Sequence, residues 1–145
     1  MIHLEKKEEK AVGGLVQKYS IELLLIYGSR VSGKIHKESD YDFAYLSKRP
    51  LSIQEEGELM IKLASMLKIP LLKLELVPLK KISPLFFKEI FSNAQVIYDK
   101  DGSTFDRYQI YAFRIFEESQ GIFENMKRIL FKKTERYKKE LSVKK

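Results

Sequence analysis

The 145-residue chain has no cysteine and only two histidines, His3 and His36. Without thiols there is no disulfide, no thiolate-bound zinc and no cysteine nucleophile, and two imidazoles are too few for an all-histidine metal centre. Any metal must therefore sit on oxygen ligands, which favours magnesium, manganese or calcium. No apolar run approaches the roughly 18 residues that a membrane span requires. The opening stretch MIHLEKKEEK is charged where a secretory leader would be greasy, so a cytoplasmic location is the expectation. Internal repeats and Gly-, Ser- or Pro-rich linkers are missing as well, and the length suits one core.

A hydrophobic fraction of 44% with 12% aromatics places the chain among globular proteins rather than disordered ones. The net charge is +7, and it is unevenly placed. Between Lys127 and Lys145 there are nine basic residues against Glu135 and Glu140, so 9 − 2 = +7 resides in the last nineteen positions. The body is close to neutral, which argues against a nucleic-acid-binding face on it and against nucleic acid as a direct substrate.

The periodicities predict one domain of class α/β (α+β), in the order helix, strand, strand, helix, strand, helix, strand, long helix. Residues 4–19 carry apolar side chains at helical spacing, weakened by Gly13-Gly14. IELLLIY (21–27) is a nearly continuous apolar run suited to a buried strand. Residues 41–46 alternate, with Tyr41, Phe43 and Tyr45 on one side and Asp40, Asp42 and Ala44 on the other. Ser52 and Glu55 form a capping box for a helix to about Leu67, stopped by Pro70. LLKLELV (71–77) reads as a third strand, Ser83-Pro84 opens a helix to Ser92, and QVIY (95–98) reads as a fourth strand. Beyond the turn at 99–102 the chain reads as helical to near its end. Its apolar stripe is wider than one small sheet is expected to cover.

Two phosphate-handling patterns compete after the first strand. Gly28 to Lys34 spells G-x-x-x-x-G-K, but Ile35 stands where a P-loop needs a hydroxyl for Mg²⁺, and a polar loop rather than a helix follows. The P-loop reading is rejected. The other pattern is Gly28-Ser29 followed by Asp40-x-Asp42. Carboxylates at i and i+2 of a strand share a face, and such a pair suits a cation that also holds substrate phosphates. Gly28 allows close backbone approach, Ser29 offers a hydroxyl and an amide, and Arg30 and Lys34 can neutralise a triphosphate. A third acid would complete the set, and Glu75, a lone carboxylate inside the apolar strand, is the candidate. The bland alternative for Glu75 is an exposed strand position beside Lys73.

GSRVSGKIHKESDYDFAYL resembles the G-S-x10-D-x-D signature of the nucleotidyltransferase superfamily related to DNA polymerase β. More narrowly, its compact layout is similar to the minimal nucleotidyltransferases, the MNT antitoxins paired with HEPN toxins. LELVPL and ISPLFFKEIFSNAQVIYDKD resemble that family's third-carboxylate strand, following helix and last strand. The resemblance implies a nucleotidyltransferase fold with a small mixed sheet of about four strands, flanking helices and a long C-terminal helix. Residues 1–102 would form the core and 103–145 a helical extension packing on the core, on a partner, or on both.

The resemblance further implies that Gly28, Ser29 and Arg30 bind the ATP triphosphate. It implies that Asp40, Asp42 and Glu75 are catalytic and hold one or two Mg²⁺ ions, with Glu75 standing where the family usually has aspartate. The expected activity is AMP transfer from ATP to a tyrosine hydroxyl of a cognate HEPN ribonuclease toxin, in a hetero-oligomer with that toxin and away from any membrane. The alternative is an MNT-fold antitoxin with a weak or inactive site that neutralises its toxin by direct binding.

Overall fold

The computed structural model describes residues 3–28 and 40–143. Four strands form a mixed sheet in the order β3-β2-β1-β4, where β1 is Ile21–Tyr27, β2 Tyr41–Ser47, β3 Leu74–Pro78 and β4 Gln95–Asp99. Strand β1 runs antiparallel to both β2 and β4, and β2 runs parallel to β3. Helix α1 (Lys6–Lys18) and helix α2 (Ile53–Leu67) cover one face of the sheet. Helix α3 (Pro84–Asn93) and the start of helix α4 (Thr104–Val143) cover the other. The four mixed strands, flanking helices and long last helix are as the resemblance implies.

Burial on both faces explains why β1 is a continuous apolar run: Leu24 and Ile26 pack with Phe43 and Tyr45 under α1 and α2, while Leu23 and Leu25 pack with Ala44 and Leu46 under α3. The capping box holds as read. Ser52 Oγ accepts from Glu55 N at 3.1 Å, and Glu55 Oε1 accepts from Ser52 N at 3.2 Å. Helix α2 then ends at Lys68, in the left-handed region with φ 55°, two residues before Pro70. On that face the Tyr19 hydroxyl donates to Glu58 and the Tyr45 hydroxyl to Glu56, tying α2 to α1 and to β2.

The third strand is shorter than its sequence suggests. Leu71–Lys73 form a 3₁₀ turn, with Lys73 N donating to Pro70 O at 3.0 Å, and strand structure begins only at Leu74. Pairing with β2 begins at Leu74, the register mate of Tyr41, and Asp40, the described residue before Tyr41, is not in a strand.

The turn after β4 starts α4. Asp101 Oδ1 accepts from Ser103 N at 3.0 Å and Thr104 N at 2.9 Å, and Asp99 Oδ2 accepts from Phe105 N at 2.9 Å. Its first turns are held against α3 by the fully buried Ala112, by Phe105 against the Phe91 ring at 5.3 Å, and by Gln109 Nε2 donating to Phe91 O. From Gln120 through Ser142 every residue is exposed, so the second half of α4 stands clear of the sheet.

Candidate active site

Alternation along the strands decides which side chains meet. Tyr27 follows Leu23 and Leu25 onto the α3 face of β1, and Asp42 precedes Ala44 and Leu46 on the same face of β2. Tyr27 is the register partner of Asp42, and Asp42 is in turn the register partner of Glu75 on β3. One row across the sheet therefore reads Tyr27, Asp42, Glu75, with Gly28 at its β1 end. Asp40 lies just before β2, and both it and Glu75 are exposed, whereas Asp42 is half-buried.

Gly28 is needed here for two reasons. Its φ is +84°, in the region that side chains rarely adopt. A Cβ built on it would also come within 2.5 Å of Asp42 Oδ2, with Asp42 Cγ next at 3.4 Å. The sequence suggests that this glycine admits a phosphate; the structure adds that it makes room for the catalytic-candidate carboxylate itself.

Asp42 is pushed up from its ordinary 3.8 to about 6, first by burial, then by the negative charge of Glu75 and a side-chain hydrogen bond with it, and last by Asp40. Every influence acts in the same direction. The negative charge of Glu75 disfavours the ionised form of Asp42, and a cation between the two would relieve that repulsion. Burial, Asp42 and Glu75 push the Tyr27 phenol up to about 12, so it stays protonated and neutral.

Of the three acids expected to act together, Asp42 and Glu75 are brought into contact. Asp40 is near enough for its charge to bear on Asp42, yet among the described residues no three Asp, Glu or His side chains are grouped to hold a metal ion. The pair still fits a hard divalent cation, because Mg²⁺ takes one or two protein carboxylates and completes its shell with water and substrate phosphate oxygens. Glu75 is exposed, as the bland reading has it, and still reaches Asp42; its extra methylene does not take it out of range. Ser29, Arg30, Lys34 and His36 lie outside the described residues.

A cleft of about 320 Å³ opens beside Gly28, walled by Tyr27, Phe86, Glu89, Ile90 and Asn93. The Tyr27 and Phe86 rings meet edge to face at 5.9 Å. These residues do not figure in the sequence reading. The signal for Tyr27 is the period of two in IELLLIY, which sets it on the face of Leu23 and Leu25, but no comparable signal marks Phe86.

A glycine at positive φ, a carboxylate pair on adjoining strands and an aromatic-walled cleft thus lie together at one end of β1 and β2. The family of polymerase β nucleotidyltransferases matches residues 9–103, which is 95 of the 145 residues, and this chain belongs to that family. It is 31% identical over 96 residues to the protein adenylyltransferase MntA of Aphanizomenon flos-aquae, a stretch covering 61% of this chain and 64% of that protein. The match thus spans less than two thirds of that relative's length.

Solved structures share the fold. A chain in the crystal structure of a toxin–antitoxin with AMP-PNP superposes with a TM-score of 0.66 at 20% identity, over 85% of this chain and 98% of that one. A chain from the tri-AMPylated Shewanella oneidensis HEPN toxin in complex with its MNT antitoxin gives 0.61 at 17% identity, over 88% and 99%. Among the described residues no helix is long and apolar enough to cross a membrane.

Proposed function

We propose that this chain is an adenylyltransferase antitoxin that transfers AMP from ATP to a tyrosine hydroxyl of a HEPN toxin. The observation that carries the proposal is the Asp42–Glu75 carboxylate pair, set across parallel strands beside the Gly28 turn. Membership of the nucleotidyltransferase family supports the reaction class, and the adenylyltransferase name of the MntA relative supports AMP as the group transferred. The HEPN complexes among the structural relatives supply the partner.

Asp42 and Glu75, joined by Asp40, would hold Mg²⁺. When bound there it would neutralise charge on the ATP phosphates and on the α-phosphorus as it reacts. The open Gly28 turn, with Ser29 and Arg30, would receive the β- and γ-phosphates. The cleft walled by Tyr27 and Phe86 would take the apolar face of the adenine. The toxin's tyrosine oxygen attacks the α-phosphorus, the bond from that phosphorus to the β-bridging oxygen breaks, and pyrophosphate leaves toward Gly28. Glu75, the exposed member of the pair, would accept the phenolic proton. The Tyr27 phenol, held neutral, adds no charge beside the phosphates.

Incubation with a HEPN toxin offered as partner, ATP and Mg²⁺, followed by intact-mass measurement, tests the proposal. The toxin should gain one or more AMP units, and Asp42→Asn should abolish the gain. A stable complex with no mass gain would instead establish neutralisation by binding alone.

A further inference from the structure

Helix α4 carries one apolar face along its whole length, but only half of it is covered. At 100° per residue, Met126 lies five full turns beyond Tyr108 and on the same meridian. Tyr108 packs against the sheet-side core, with Phe105 and Ala112 beside it. The same face continues past Gln120 as Ile122, Phe123, Met126, Ile129, Leu130 and Tyr137, within about 60° of that meridian. These six side chains are between 51% and 62% exposed. Such a run of large apolar side chains on a free-standing helix is a recognition surface.

Charge decides what fits it. Lys127 and Lys138 border one edge of the stripe and Arg136 the other, while Lys133 sits within it. Glu124 and Glu135 lie on the far side of the helix, reaching Lys127 and Lys138 only at 3.9 Å on the exposed surface. Glu140 is the one acid on the stripe side. A second copy would set the same cations against one another, which disfavours self-pairing. A stripe about 120° wide with charged borders has the form of a helix-pairing seam, in which flanking charges select the partner. At its root lies a cleft of about 340 Å³, walled by Pro84, Leu85, Phe116 and Phe123 among others, and large enough for an apolar side chain from a partner. A lipid surface offers no such anchor.

We propose that the half of α4 beyond Ser119, the arm, docks an acidic, apolar-faced helix of the partner protein, with one partner side chain seated in the cleft at its root. The family match ends at residue 103, so this surface is separate from the catalytic core. Identifying the partner as the HEPN toxin rests on the function proposed above.

The test is titration calorimetry of this chain with the HEPN toxin that it modifies in the function proposed above. Met126→Glu/Ile129→Glu should weaken binding about 100-fold, because both residues sit at the centre of the stripe. Lys127→Glu/Lys138→Glu should weaken it about tenfold, with the difference shrinking as salt is raised. Both pairs lie on the exposed half of α4, away from the core clusters, so the core should melt unchanged. Wild-type affinity in the apolar double variant overturns the docking proposal, as does an absence of binding by the wild-type chain. A wild-type dimer that the double variant dissolves, or arm-dependent sedimentation with vesicles of phosphatidylcholine and phosphatidylglycerol, assigns the surface elsewhere and also overturns it. AMP transfer is scored separately: arm-dependent binding without AMP transfer upholds docking and rejects the enzymatic role, and AMP transfer with arm-independent binding does the reverse.

Discussion

Gly28→Ala probes the geometry of the site more sharply than removal of a carboxylate does. The added methyl group meets two costs of different origin. A non-glycine residue at φ +84° costs about 1 kcal/mol in backbone strain. The methyl carbon would also lie 2.5 Å from Asp42 Oδ2, which forces the carboxylate out of its position. Displacing it from its rotamer costs about 1 kcal/mol more. The expected loss is thus about 2 kcal/mol, or a fall in melting temperature of about 6 °C for a chain of this size.

The three nearest atoms to that methyl all belong to Asp42, and only its Cβ, at an ordinary 3.7 Å, remains in Asp42→Ala. In that background Gly28→Ala should cost only the strain, so a double-mutant cycle should show about 1 kcal/mol of coupling. Urea unfolding of the four proteins measures it. Strictly additive effects would refute the claim that Gly28 exists to admit the Asp42 carboxylate. In the single variant AMP transfer should drop about 100-fold, the scale expected when a catalytic group moves by about 1 Å.

Two further outcomes follow from the same side chains. Folded Asp42 holds its proton up to about 6 against an ordinary 3.8, so its contribution to stability is present below 3.8 and is lost as pH rises to 6. The full difference corresponds to about 3 kcal/mol, which solvent screening of a half-buried group reduces to about 1 kcal/mol. Without divalent cations, Asp42→Asn should therefore gain on the wild type by about that amount between pH 4 and pH 7, and Mg²⁺ should erase the gain at pH 7; parallel stability profiles from urea titrations at each pH would contradict this. On the opposite face, Tyr45→Phe deprives the Glu56 carboxylate of a buried donor and should cost about 1–2 kcal/mol in urea unfolding, whereas a change within error would show the bond to be without net worth.

Much of the frame was legible because local signals and tertiary needs agree. The apolar run 21–27, the Ser52–Glu55 box and Ser83-Pro84 all mark elements that form where they point. Residues 71–73 misled because LLKLELV satisfies a strand pattern throughout, whereas the chain turns through a 3₁₀ turn after Pro70 and pairs with β2 only from Leu74. The two-residue spacing of Asp40 and Asp42 was readable, but the contact that matters joins Asp42 to Glu75. It depends on a parallel register 33 positions apart in sequence, which no local pattern encodes. The apolar stripe of α4 was visible too, yet periodicity alone could not show that it loses its own core beyond Ser119.

Exchange at position 75 tests the central claim most directly, because Glu75 is exposed and its substitution spares the core. The intact mass of the HEPN protein after incubation with ATP and Mg²⁺ should show AMP added by the wild type and by Glu75→Asp, and none added by Glu75→Gln. Equal AMP transfer by Glu75→Gln and the wild type would contradict a reaction run by the Asp42–Glu75 pair.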